Sequence, residues 1–189
     1  MVSGPTIRYR MLRFRTWFVL LVVMVCGVGS TASAATTEQA EASTVTRAAS
    51  LEELILRQVN EVRAARSLAP FTASPGLSRS AAAHSRAMLT RGFFAHESAN
   101  GASFSSRIRA FYGPRSSTWT VGENLAMFGG MTPTATAVVD AWMGSPGHRA
   151  NLLRGSFREA GLAVMYNPAA GGVFGGEATW VVTLDLGRR

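Results

Sequence analysis

The chain has 189 residues, 47% of them hydrophobic, with 19 basic residues, all arginine, against 11 acids and a single cysteine. One cysteine excludes a disulfide framework, so the folded part has to be held by its apolar core. The formal charge of +8 overstates the basic excess. Four arginines fall within residues 1–34 and every acid follows them, which leaves 15 basic groups against 11 acidic ones, scattered without a basic stripe, and argues against a nucleic-acid partner.

Arg8, Arg10, Arg13 and Arg15 precede an apolar run from Trp17 to Val28, and Ala32-Ser33-Ala34 then forms an A-x-A cleavage pattern. This predicts a secretory signal peptide over residues 1–34, with Met11 as a second candidate start. The alternative is an uncleaved membrane anchor, but the strongly apolar part falls short of the roughly 20 residues that a spanning helix uses. Cys26 lies inside the run behind Val25, where a lipid-modified cysteine would follow glycine or alanine. Beyond residue 34 there remain 155 residues, enough for one domain.

Residues 35–49 are rich in Ala, Thr, Ser and Glu without apolar periodicity, and read as a flexible linker before a domain over 50–189. Ser50 and Glu53 have capping-box spacing. Leu51, Leu54, Ile55, Val59 and Val62 then follow at helical intervals, which predicts an amphipathic helix ending before Pro70. Ser74-Pro75 opens a second helix, with Leu77, Ala81, His84 and Met88 on one face and Gly92 as its stop. "FFAHESANG" is irregular, and Ser103 to Phe111 reads as a short helix. "TWTVGENLA" begins as a strand, with Glu123 just past it. Thr132-Pro133 caps a helix carrying Ala135, Val138, Val139 and Trp142 on one stripe. "AGLAVMY" and "ATWVVTLDL" read as strands, the second with Trp180, Val182, Leu184 and Leu186 on one face. "NPAAGGVFGGE" is a long hairpin loop between them. Helices followed by two or three antiparallel strands indicate an α+β domain.

Three histidines are available for chemistry: His84, His96 and His148. His84, on an apolar helix face, reads as a core residue bonded to backbone. In "GSPGHR" one helix stops at Gly144 and another starts with Ser145 as N-cap and Pro146 at N1, so His148 falls at N3. The positive end of the helix dipole disfavours imidazolium there and leaves the neutral ring that binds metal or accepts a proton. The same spacing also serves a plain helix start. His96 and Glu123 sit in segments of loop character, where functional residues concentrate. Asn124 reads as a structural residue that bonds backbone. No H-e-x-x-H or G-x-S-x-G pattern is present: position 100 is Asn100, and "GSPG" lacks the elbow.

"FFAHESANG", "VGENLA", "AWMGSPGHRANLL", "AGLAVMY" and "TWVVTLDLG", in this order, resemble the CAP superfamily of cysteine-rich secretory, antigen 5 and pathogenesis-related 1 proteins, in its bacterial secreted branch without disulfides. The resemblance spans roughly residues 51–187. It implies an α-β-α sandwich, with a small central antiparallel sheet flanked by helices. It also implies a cleft of two histidines and two acids, which fall on His96, His148 and Glu123. The second acid's position, three residues after Trp142, is held by Ser145, so the cleft set is His96, Glu123, Ser145 and His148.

In similar proteins the histidines can hold zinc. Here His96 and His148 offer two ligands where a catalytic zinc site has three, so a bound zinc is expected to be weak and exchangeable. Glu123 is the candidate catalytic residue, as a base toward bound water or a partner that orients a histidine. The resemblance implies secretion. It also implies either a binding module for a lipid, sterol-like or cell-envelope ligand, with Phe93, Phe94, Phe104 and Phe111 as candidate groove residues or ordinary core, or a metal-assisted hydrolase of peptide or envelope material. A third outcome is a wall-associated structural protein with a vestigial cleft.

Overall fold

The computed structural model describes residues 45–115 and 117–189. The signal peptide expected over 1–34 and residues 35–44 of the expected linker lie outside the described residues. In chain order the elements are β1 (Thr46–Arg47), α1 (Ala49–Ala64), β2 (Thr72–Ala73), α2 (Pro75–Arg91), α3 (Phe104–Phe111), β3 (Thr120–Gly129), α4 (Ala135–Gly144), α5 (Pro146–Leu152), β4 (Glu159–Ala170) and β5 (Glu177–Arg188). Among the described residues no helix is long and apolar enough to cross a membrane.

The sheet runs in the order β1-β4-β5-β3 with antiparallel neighbours, and two-residue β2 joins β4 in parallel. The long β4–β5 hairpin forms its centre, and β3 closes back onto β5. Two layers of helix cover it, which makes the expected α-β-α sandwich. Because side chains alternate across a strand, the pleat divides the sheet into two cores. One face presents Leu162, Val164, Val182, Leu184 and Leu186 to Ile55 and Val59 of α1 and to Val138, Val139 and Trp142 of α4. The other presents Leu125, Met165 and Val181 to Met88 and Leu89 of α2. Trp142 is fully buried, and its indole N–H donates to the Leu125 carbonyl at 3.1 Å, so its polar edge is satisfied inside the core. Gly161 on β4 lets α2 lie against the sheet: a Cβ there would stand 2.0 Å from the Ser78 nitrogen.

Several local expectations are corrected. The linker ends before residue 49: Thr46 and Arg47 pair with Tyr166 and Met165. Helix α1 starts after Ala48 rather than at a Ser50–Glu53 box. What fixes its entry is Glu52, which accepts both Nε and Nη2 of Arg47 at 2.8 Å and the Val164 backbone N–H at 3.0 Å. The cap of α4 is Thr134, whose hydroxyl accepts the Ala137 N–H at 3.1 Å, two residues after the expected Thr132. Strand β4 continues to Ala170, so the turn is shorter than its glycines suggested, and Asn167 is anchored to the Leu89 carbonyl at 3.2 Å. The strand expected to end before Glu123 runs through it to Gly129. Helices α2 and α3 begin after Ser74 and Ser103 as read, and Gly92 stops α2 with φ +69°.

Candidate functional site

Strand β3 organises the site because successive side chains leave it on opposite faces. Glu123 points to the α2 side and Asn124 to the α4–α5 side, and both are buried. The Glu123 side chain has no exposed surface, yet it holds two partners. Its Oε1 accepts Nδ1–H of His96 at 2.8 Å. Its Oε2 accepts Nη2 of Arg107, from α3, in a short ion pair. A buried carboxylate is costly unless paired and hydrogen-bonded, and Arg107, with only 8% of its side chain exposed, supplies the counter-charge.

Arg107 also ties down the loop that carries His96, through Nη1 to the His96 carbonyl at 3.1 Å and to the Ser98 hydroxyl at 3.0 Å. From α2, His84 Nε2 donates to the Ala95 carbonyl at 2.9 Å, which braces the residue before His96. His84 is thus the backbone-bonded core histidine expected, with burial as the first cause that holds its pKa below the ordinary value.

His148 stands in the first turn of α5, as read from "GSPGHR". Asn124 Nδ2 donates to the His148 carbonyl at 3.0 Å, and Asn151 Nδ2 donates to the Asn124 side chain at 2.9 Å and to the Glu123 carbonyl at 3.2 Å. These bonds stitch α5 to β3, so Asn124 is structural. Ser145 is shared by the end of α4 and the start of α5, but its side chain makes no capping bond; the turn closes through the Arg149 N–H on the Ser145 carbonyl at 2.8 Å.

The two imidazoles shift in opposite directions. The hydrogen bond to Glu123 raises the His96 pKa, while burial and then the nearby His96 cation lower that of His148. His96 is thus engaged through Nδ1, which leaves Nε2 for a ligand, and burial favours the neutral ring of His148.

His96 and Glu123 line a hollow of 450 Å³, together with Glu97, Phe104, Val121, Gly122, Asn151 and Arg154. His148 and Ser145 do not line it. A larger depression of 570 Å³ runs along α1 to Pro70, but it contains no histidine and no buried ionisable pair. Of the candidate groove residues, Phe104 reaches the hollow and packs edge-on against His96, Phe93 and Phe94 pack on the α2-side core, and Phe111 is partly exposed. Among the described residues no three His, Cys, Asp or Glu side chains are grouped to hold a metal ion. Two imidazoles, one of them already bonded through Nδ1, fit at most a loosely held, water-rich ion.

Arg107, Asp185, Asn151 and Arg154 were not singled out by sequence. Arg107 interrupts the apolar stripe of Phe104, Ile108 and Phe111, and Asp185 is the only charge inside "TWVVTLDLG"; both oddities were visible in the sequence.

Residues 56–184 match the family described as "Cysteine-rich secretory protein family". The uncharacterized protein YkwD of Bacillus subtilis (strain 168) is 34% identical over 137 residues, 70% of this chain and 51% of that protein, so the chain spans about half the length of this relative. Among solved structures, an extracellular protein containing a SCP domain from Bacillus anthracis superposes with a TM-score of 0.58 at 22% identity, over 75% of this chain and 41% of that one. An outer surface protein of Borrelia burgdorferi superposes with a TM-score of 0.59 at 16% identity, over 77% and 99%. At these identities the two structures speak to the fold alone.

Proposed function

The chain belongs to the cysteine-rich secretory protein family, and from that membership we propose that it is a secreted binding module whose hollow beside His96 takes a lipid-like or cell-surface ligand. The observation that carries this reading is the engagement of Glu123. Both of its oxygens are bonded and its side chain is sealed from solvent, so it orients His96 and is not poised to activate a water. The hollow combines apolar Phe104 and Val121 with the exposed charges of Glu97 and Arg154, a mixed lining suited to an amphipathic molecule. Export is supported by the arginine-rich start, the apolar run and Ala32-Ser33-Ala34, and by the extracellular and outer-surface character of structural relatives. A divalent ion would be held by His96 through Nε2 and by His148, weakly and exchangeably.

Titration of the purified protein with a fluorescent acyl-chain probe and with isolated cell-envelope material tests the reading. Saturable binding to either one, weakened at least tenfold by Phe104→Ser, is expected. Absence of saturable binding to both would contradict it.

One feature favours a hydrolase as second reading: a buried carboxylate orients His96, an arrangement also used to set the tautomer of a catalytic imidazole. Turnover of peptide or envelope substrate that disappears in His96→Ala would favour this reading over binding alone.

A further inference from the structure

Asp185 has no exposed surface and lies behind the hollow rather than in its lining. It lies directly opposite Glu123 in the β3–β5 ladder, so the two carboxyl groups leave adjacent strands on the same sheet face. Neither Asp185 oxygen makes a hydrogen bond of good geometry, although the Ser80 hydroxyl on α2 and the Glu123 carboxylate lie close enough to interact with it, and Nε of neighbouring Arg107 is likewise buried without a partner. We propose that Asp185 is held as a neutral carboxylic acid whose O–H serves the Glu123 carboxylate, making it the residue that positions the anion to which His96 is bound.

The charge balance around the pair carries this inference. The groups that act on Asp185 are Glu123 from β3, Arg107 from α3 and Ser80 from α2, while its partner across β4 is Gly161, which brings no charge. Arg107 is the one cation that acts on Asp185, and it is already bonded to Glu123. The His96 ring, 45% exposed, sits on Oε1 of Glu123 and does not act on Asp185 directly. An ionised Asp185 would be a second buried carboxylate beside the first without its own counter-ion, an arrangement that protonation relieves. A carboxylate oxygen has lone pairs to spare, so Glu123 can accept from Asp185 while it keeps His96 and Arg107. Burial, and next the Glu123 charge, push the Asp185 acid well above the usual range. Asp185 thus supplies from β5 a second carboxyl behind the site, where Ser145 leaves the surface position without one. The inference is independent of what the hollow binds.

The chain has two aspartates, Asp140 on an exposed face of α4 and Asp185, so carboxyl 13C signals from labelled aspartate can be told apart without a variant. At pH 7 the Asp185 signal is expected at the acid position, separated from the Asp140 signal. An Asp185 signal at the carboxylate position would overturn the proposal. A second measurement compares denaturant unfolding of the wild type and Asp185→Asn, which keeps a neutral donor. Relative to that variant, the unfolding constant of the wild type should rise about tenfold per pH unit above about pH 4, because only the unfolded chain can then ionise Asp185. Parallel pH profiles would overturn the proposal. The His96 Nδ1–H tautomer should survive in Asp185→Asn and be lost in Asp185→Leu; retention in both would overturn the positioning role.

Discussion

His96 and Glu123, 27 positions apart in the chain, are joined by an Nδ1–H···Oε1 bond of 2.8 Å that has a sealed carboxylate at one end and a side chain 45% exposed at the other. The bond couples the rigid sheet to a loop, and the surrounding contacts show what holds each half.

The sheet half depends on Arg107. Replacement by Met leaves Glu123 as an uncompensated buried charge, and a loss of about 3–5 kcal/mol is expected in urea unfolding. The double variant with Glu123→Gln should recover part of it, since the stranded charge is then gone. Additive losses would show that the pair is not coupled.

The loop half depends on His84. His84→Phe removes the bond to the Ala95 carbonyl and should cost about 1–2 kcal/mol, with faster amide exchange around residues 93–98. The pH dependence has a defined sign. The folded pKa of His84 lies below its unfolded value near 6.5, so its contribution is intact above that value. It declines as pH falls, because the unfolded chain takes up a proton that the fold resists. His84→Phe should remove that acid-side decline, read as the difference between two stability profiles from pH 7 to 5.

Helix α5 is tied to β3 through Asn124. Asn124→Leu leaves the His148 carbonyl and the Asn151 amide without this partner, and a cost of about 1–3 kcal/mol is expected, with displacement of the His148 ring signals. Unchanged His148 signals would mean that α5 is held elsewhere, for example by buried Arg63, whose Nη1 donates to the Leu152 carbonyl at 2.6 Å.

Much of this was legible in the sequence where a local rule fixes the outcome. Pro75 and Pro146 at helix starts, Gly92 at a stop and the alternating faces of β5 follow from backbone preference and periodicity alone. The misses share a different physics. Glu52 rather than Glu53 anchors α1 because its partners, Arg47 and the Val164 N–H, come from the sheet. Glu123 lies within a strand, although glycine and asparagine flank it, because β5 supplies its ladder partners. Arg107 and Asp185 become site residues only when α3, β3 and β5 meet, and the signal for them was a charge out of place in an apolar pattern.

The most direct measurement is an NMR pH titration of His96 and His148 in the wild type and in Glu123→Gln. The hydrogen bond to Glu123 holds the His96 pKa above the ordinary histidine value, and burial, aided by the His96 cation, holds that of His148 below it. Removal of the carboxylate charge should lower the His96 pKa and raise that of His148, as the repulsion between the rings weakens. Titration of both rings unmoved by Glu123→Gln would mean that Glu123 neither holds His96 nor acts on His148 through it.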